Sequence, residues 1–216
     1  NTSVASTAQS ITVDTTAPNK PVITGFTDNS GSTVDTITND STPTLTITAE
    51  AGSTVQVFKD GSLVGTATET ATAGTYTYTS TALASGSTSS FTVKAVDAAG
   101  NLSVSSTAQS ITVDTVAPNK PVITGFTDNS GSAVDTTTSD STPTLTITAE
   151  AGSTVQVFKG GVLAGTATET TPGNFTYTSG DLTDATYSFT AKSVDAAGNT
   201  SVASTAQSIT VDTTAP

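Results

Sequence analysis

The 216-residue sequence contains no cysteine, histidine, methionine or tryptophan, and because all six basic residues are lysines it also contains no arginine. The absence of cysteine excludes disulfides and, together with the absence of histidine, argues against zinc or copper sites. The usual nucleophile and base pairs of covalent catalysis are missing as well. Paired carboxylates could in principle serve glycoside hydrolysis, but near-duplicate sites on two small domains would be unusual. The sequence therefore does not predict an enzyme.

Basic charge is scarce, and the net charge is −12. A chain with so few cations cannot neutralise a phosphate backbone or bind an anionic membrane surface, so we expect neither nucleic acid nor lipid as a partner. No apolar run is long enough for a membrane span, and the first residues lack the pattern of a signal peptide. The scattered carboxylates either provide solubility or bind a cation.

Internal repetition is the strongest feature that the sequence does have. Residues 19–59 recur at 119–159 with three changes, and residues 1–18 are identical to residues 199–216. The period is about 100 residues, shortened to 98 in the second copy. We expect residues 1–14 to be the terminal strand of a preceding, truncated repeat, residues 15–114 to be repeat 1 and residues 115–216 to be repeat 2.

Strand signals arrive every 10 to 15 residues within a repeat, separated by Gly, Asp, Asn and Ser. The alternation of apolar and threonine residues has a period of two, and no helical periodicity accompanies it. Repeat 1 is predicted to contain seven strands at Pro21–Phe26, Pro43–Glu50, Thr54–Lys59, Leu63–Thr68, Thr75–Thr79, Ser90–Val96 and Ala108–Asp114. The predicted fold is all-β, with two tandem immunoglobulin-like, seven-stranded antiparallel β-sandwiches.

Three phrases in this order carry a family resemblance: Val-Asp-Thr-Thr-Ala-Pro at 13–18, Thr-Ala-Glu-Ala-Gly-Ser-Thr-Val at 48–55 and Val-Asp-Ala-Ala-Gly-Asn at 96–101. The chain resembles the bacterial Ig-like tandem repeats of giant adhesins that are exported by type I secretion and carry RTX-type ends. The resemblance implies an extender region at the bacterial surface, in some members with calcium at the domain junctions, and in a family that includes biofilm adhesins.

Alternating strand directions place three acidic residues at the entry end of each predicted sandwich. These residues are Asp14, Glu50 and Asp97 in repeat 1, and Asp114, Glu150 and Asp195 in repeat 2. Three adjacent carboxylates repel one another unless a cation lies between them, and calcium prefers oxygen ligands. We therefore predict Ca²⁺ as the bound ion, joining each linker to the repeat that follows it.

A simpler interpretation is that Asp97 and Asp195 cap their own turns, because Asp-Ala-Ala-Gly-Asn is a good turn sequence without any metal. A second, weaker set of candidate metal ligands lies at the opposite end, at Asp28 with Asp40 and at Asp128 with Asp140. Here too Asp-Asn-Ser-Gly is a turn signal in its own right.

Repetition predicts a stalk, and the family resemblance implies a monomeric, extracellular extender at the bacterial cell surface that contacts its neighbouring repeats. One alternative is a glycan- or protein-binding module, whose aromatic candidates are Tyr76, Tyr78, Phe91, Phe175, Tyr177 and Phe189. Their strand positions make most of them core residues. The other alternative is an Ig-like spacer inside a secreted hydrolase.

Overall fold

A computed structural model describes residues 1, 3–27, 36–127 and 136–215. The described residues divide into two compact units, one drawn from Asn1–Thr27 and Thr42–Thr112, the other from Asp28–Ser41 and Val113–Pro216. Every regular element among them is a β-strand, which confirms the predicted all-β class. Within the same residues, no helix is long and apolar enough to span a membrane.

The described residues of repeat 1 contain eight strands. They are β1 (Val22–Phe26), β2 (Ile37–Thr38), β3 (Thr44–Thr48), β4 (Thr54–Lys59), β5 (Ser62–Glu69), β6 (Thr75–Thr79), β7 (Ser87–Val96) and β8 (Gln109–Val113).

In repeat 2, outside residues 128–135, there are nine strands. They are β9 (Val122–Phe126), β10 (Thr137–Thr138), β11 (Thr144–Thr148), β12 (Thr154–Lys159), β13 (Val162–Thr166), β14 (Thr168–Thr171), β15 (Asn174–Thr178), β16 (Ala185–Val194) and β17 (Gln207–Val211).

The period-two pattern produces the sandwich core directly. In β3, Leu45 and Ile47 are fully buried, while Thr46 and Thr48 on the opposite face are exposed. Successive side chains of a strand point to opposite faces, so one face packs inward and the threonine face meets solvent. The buried core of repeat 2 is formed by Leu145, Ile147, Val155, Val157, Ala167, Phe175, Leu182, Phe189, Ala191, Ile209 and Val211.

One strand passes from one layer of each sandwich to the other. In repeat 1 the strands follow the order β1-β3-β6-β5-β4-β7-β8, and β5 pairs with β4 between Ser62 and Ala67 and with β6 through its last two residues. In repeat 2 the same path is interrupted at Ala167, which gives two sheets ordered β10-β17-β16-β12-β13 and β14-β15-β11-β9. The Ala167 N–H still donates to Val155 O (2.8 Å), so the interruption is one residue long.

The predicted seven strands per repeat are present, but each repeat has an additional two-residue strand, β2 or β10. Strand β10 pairs in parallel with β17, which departs from the predicted fully antiparallel arrangement. A strand of two residues carries no alternation, so no sequence pattern could reveal it. Residues 3–14, where the terminal strand of a preceding repeat was predicted, contain no strand in the structure.

Serine side chains form hydrogen bonds with one edge of the long strand β7. These serines belong to the segment that follows β7 in the sequence, which is not itself a strand. The Ser103 and Ser106 hydroxyls accept the N–H groups of Ala95 and Val93 (2.9 and 3.0 Å), and the serine N–H groups donate back to the carbonyls of the same two residues. Ser201 and Ser204 make the same contacts to β16 in repeat 2. The serine hydroxyls thereby accept the N–H groups for which a paired strand would have supplied carbonyl oxygens.

Candidate functional site

The turn at residues 97–101 is capped by its own aspartate. Asp97 Oδ1 accepts the Asn101 N–H and Oδ2 accepts the Asn101 side-chain amide, both at 2.8 Å. The side-chain hydrogen bond from Asn101, followed by backbone N–H groups of Asn101, Ala99 and Gly100, lowers the pKa of Asp97 below its ordinary value. In repeat 2 Asp195 accepts the same two bonds from Asn199 (2.8 and 2.9 Å). Each aspartate therefore caps its turn as the simpler interpretation proposed.

The same asparagine also reaches the linker that precedes its repeat. Asn101 Nδ2 donates to the carbonyl oxygen of Asp14 (3.1 Å), and Asn199 Nδ2 donates to the carbonyl oxygen of Asp114 (2.8 Å). We call this pair of bonds, one in each repeat, the linker contact. Since Asn199 is held by Asp195 on one side, its amide is oriented to meet the linker without further rearrangement.

Asp114 uses its remaining polar groups in the same unit. Its N–H donates to the Thr38 carbonyl (2.9 Å), and its carboxylate Oδ1 accepts the N–H of Val116 (2.9 Å). Together with the linker contact, these bonds satisfy the backbone of Asp114 on both sides and shape the linker into an Asx-type turn. Asp14 accepts Thr16 N–H in the same manner (2.9 Å).

The third predicted member of each acidic group, Glu50 or Glu150, takes part through its backbone. The Glu50 carbonyl accepts the hydroxyls of Ser53 (2.7 Å) and Tyr76 (2.8 Å), and the residue is exposed. The Glu150 carbonyl accepts the Ser153 hydroxyl (2.7 Å). The structure thus brings Asp14 next to Asp97, and Asp114 next to Asp195, through an asparagine. It does not add the glutamate carboxylate to either pair.

A different glutamate, missed in the sequence, fastens the neighbouring turns. Glu69 accepts the N–H groups of Gly52 (3.2 Å) and Gly74 (2.8 Å), and Glu169 accepts those of Gly152 (3.2 Å) and Gly173 (2.7 Å). The only sequence signal for this role is the phrase Thr-Ala-Thr-Glu-Thr, identical at 66–70 and 166–170.

In residues 1, 3–27, 36–127 and 136–215, no three or more carboxylates are grouped so that they could hold a metal ion. Of the weaker candidates, Asp140 accepts the N–H and hydroxyl of Thr142 (2.8 and 3.1 Å), and the Asp40 N–H donates to Thr38 Oγ1 (3.1 Å). Asp28 and Asp128 lie outside the described residues.

The aromatic candidates for ligand binding are mostly interior. Tyr76, Phe91, Phe175 and Phe189 are each at most 2 % exposed. The rings of Tyr78 and Tyr177 lie against Gly65 and Gly165, where an added Cβ would come within about 3 Å of the ring. These side chains fill the sandwich or cover a glycine, so they do not form an open platform for a sugar.

The comparisons with known proteins agree with this architecture. The model of the bacterial Ig-like domain matches residues 16–115 and again residues 117–213. The chain belongs to the bacterial Ig-like domain family. Domains of the fibronectin-III-like kind share the fold: the chain aligns with the fibronectin(III)-like modules of Clostridium thermocellum CbhA at a TM-score of 0.54 and 16 % identity, covering 87 % of this chain and 94 % of that one.

Two curated relatives are similar to this chain over most of its length. Chitinase A1 of Niallia circulans is 34 % identical over 206 residues, which cover 91 % of this chain and 26 % of the chitinase. Exoglucanase B of Cellulomonas fimi is 33 % identical over 221 residues, which cover 95 % of this chain and 18 % of the exoglucanase. The chain thus spans about a quarter or less of the length of these relatives.

Proposed function

We propose that the two bacterial Ig-like repeats are a non-catalytic spacer in a larger extracellular protein, and that each repeat fixes the linker in front of it. The linker contact carries this proposal. Asn199 and Asp114 are 85 residues apart in the sequence, yet their 2.8 Å hydrogen bond fastens the linker to repeat 2, and Asn101 makes the equivalent bond in repeat 1.

Two further features support a linker of restricted freedom. The segment Asp114–Pro121 contains two prolines, which limit their own φ angles and bias the preceding residues to extended conformations. Pro118 is buried. A spacer needs restricted linkers because flexible ones shorten the average distance between the parts that they connect.

The experiment is an Asn199→Ala substitution followed by small-angle X-ray scattering and by a spin-label distance measurement between the repeats. We expect the substitution to broaden the distribution of distances, because Ala cannot donate to Asp114. It should also cost about 0.5–1.5 kcal/mol per hydrogen bond in local stability.

Asn101→Ala is the matched control. It removes the two equivalent side-chain bonds in repeat 1, to Asp14 and Asp97, and it leaves the linker between the two repeats untouched. We expect an equal loss of local stability and no change in the distance between the repeats. Equal distance distributions for wild type, Asn199→Ala and Asn101→Ala would contradict the proposal.

Two parent proteins are consistent with a spacer. The resemblance to adhesin repeats supports an extender that carries an adhesive domain away from the cell surface. The similarity to chitinase A1 and exoglucanase B supports a spacer inside a secreted polysaccharide hydrolase. The sequences that flank these residues in the full-length protein distinguish the two: a glycoside hydrolase domain supports the second, and further repeats support the first.

We also propose that Ca²⁺ adds to the linker contact at Asp114, Asp195 and Glu150. The support is that Asp114 and Asp195 share one asparagine and that the exposed side chain of Glu150 can change its rotamer. Calorimetric titration with calcium chloride tests it, with Asp212→Asn as the control for Asp114→Asn. A binding heat that is lost in Asp114→Asn and kept in Asp212→Asn supports the site. The absence of any binding heat in wild type, together with the same melting temperature in calcium and in chelator, overturns it.

A further inference from the structure

Repeat 2 has an acidic side chain at the start of a long strand that repeat 1 lacks. Strands β16 and β7 begin at Ala185 and Ser87, and the residue in front of them is Asp184 in repeat 2 and Gly86 in repeat 1. Asp184 is exposed, and its carboxylate points to the segment that leaves the repeat. It thus lies beside the exit of repeat 2 rather than at its entry.

The carboxylate of Asp184 accepts three hydrogen bonds from two consecutive residues. Oδ1 accepts the N–H of Thr213 (2.9 Å) and its hydroxyl (2.7 Å), and Oδ2 accepts the hydroxyl of Thr214 (2.9 Å). Both carboxylate oxygens are used, and Thr213 is held through its backbone as well as its side chain. Hydrogen bonds to an ionised acceptor are shorter and stronger than neutral ones.

Electrostatics agree with this geometry. The backbone hydrogen bond from Thr213, and after it the side-chain hydrogen bonds from Thr213 and Thr214, lower the pKa of Asp184 below its ordinary value. The group is therefore ionised at neutral pH, where a carboxylate accepts all three bonds.

We propose that Asp184, Thr213 and Thr214 form a linker clasp that fixes the first residues leaving repeat 2. Repeat 1 cannot form it, because Gly86 has no side chain and Val116 stands where repeat 2 has Thr214. The two copies thus carry the same entry contact but different exits. A segment that follows repeat 2 therefore starts from a fixed direction at Thr213.

The hydrogen bonds of the clasp do not depend on the proposed spacer function, although the effect of the clasp on a following domain rests on that function. An experiment on the residues of the clasp therefore tests it separately from the spacer function. The measurement is amide hydrogen exchange and ¹⁵N relaxation of Thr213 and Thr214 in the 216-residue chain, compared among wild type, Asp184→Ala, Asp184→Asn and Asp181→Ala. Asp181→Ala is the matched control, because it removes an equal charge from the same loop.

In Asp184→Ala we expect exchange of the Thr213 amide to rise by about tenfold, with a lower order parameter, because its acceptor is gone. Asp184→Asn should give a smaller rise, since the amide oxygen still accepts from Thr213 but its NH₂ group cannot accept the Thr214 hydroxyl. Asp181→Ala and the core amides around Phe189 should be unchanged.

Thr214→Val provides a second route to the same conclusion, since it copies the residue of repeat 1 and removes one bond only. We expect it to raise Thr213 exchange less than Asp184→Ala does. Fast Thr213 exchange in the wild type, or an equal effect of Asp181→Ala and Asp184→Ala, would overturn the clasp whatever the scattering experiment on Asn199 shows.

Discussion

Repeats 1 and 2 fasten their entry linkers identically but complete their interiors and exits differently. Both use an asparagine held by an aspartate to bind the preceding linker. In the interior, Tyr76 of repeat 1 corresponds to Phe175 of repeat 2, and Ala95 corresponds to Ser193. At the exit, Asp184 replaces Gly86. The contact between each repeat and the linker in front of it is the same in both copies, whereas these two interior positions and the exit contact differ.

The turn between strands four and five shows how such variation is accommodated. Asp60 has a φ of 51°, a left-handed conformation that is uncommon for a residue with a side chain, and its carboxylate accepts the Ser90 N–H (2.9 Å). Gly160 has a φ of 57° at the same place without that bond. Repeat 1 offsets the backbone strain with a hydrogen bond, and repeat 2 avoids the strain with glycine.

The largest stability difference between the repeats should come from Ser193. Its hydroxyl is fully buried and has no hydrogen-bond partner within the part of the chain that the structure describes. An unsatisfied buried polar group costs about 1–3 kcal/mol. We expect Ser193→Ala to stabilise repeat 2 by an amount in that range, measured by urea unfolding followed by circular dichroism.

Ala95→Ser is the reciprocal substitution and should destabilise repeat 1 by a similar amount. Both variants differ from wild type by one oxygen atom at a fully buried strand position. If Ser193→Ala instead lowers the stability of repeat 2, the Ser193 hydroxyl has a hydrogen-bond partner. The proposed difference in stability between the interiors of the two repeats would then be wrong.

A smaller difference should come from the hydroxyl of Tyr76. It donates to the Glu50 carbonyl at 2.8 Å, whereas Phe175 of repeat 2 has no such group. Tyr76→Phe should cost repeat 1 about 0.5–1.5 kcal/mol, the usual net contribution of one hydrogen bond. Phe175→Tyr should raise the stability of repeat 2 by up to that amount, again measured by urea unfolding; a loss on Phe175→Tyr would show that the second site cannot accommodate the hydroxyl.

The smallest effect should be the acid sensitivity of the turn at residues 97–101. Because the folded-state pKa of Asp97 is lowered, its contribution to stability is present above the unfolded pKa of about 3.9 and is lost as the pH falls through the lower folded value. Exchange of the Asn101 amide should therefore accelerate only in strong acid, in step with the carboxyl titration followed by NMR. In Asp97→Asn, the exchange of the Asn101 amide should no longer accelerate as this carboxyl would titrate. If the acceleration persists in that variant, another group causes it.

Much of the fold follows from local patterns. The alternation in segments such as Thr54–Lys59 and Thr75–Thr79 predicted strands with the bounds that the structure has. The turn phrase at 97–101 predicted a self-capped aspartate, and the aromatic positions predicted core residues. These features depend on neighbours in the chain, which a periodic sequence specifies. The two-residue strands β2 and β10 lacked such a signal.

The candidate site was only partly predictable, for a related reason. The predicted strand directions placed Asp114 near the turn that contains Asp195. They did not indicate which atoms would form the contact. The sequence predicted a site that includes the carboxylates of Asp114 and Asp195. In the structure, the side-chain amide of Asn199 donates hydrogen bonds to both of these residues. Glu69, which fastens two turns, gave no signal beyond its repetition.

The sequence by itself therefore determined the repeat architecture, the β-sandwich pattern and the absence of histidine and cysteine. Only the tertiary structure decided that Asn199 binds the linker at Asp114 and that Asp184 binds Thr213 and Thr214. Strand formation follows from alternation over a few neighbouring residues. Hydrogen bonds between residues about 30 or 85 positions apart depend instead on how the packed layers align the loops at each end of a sandwich.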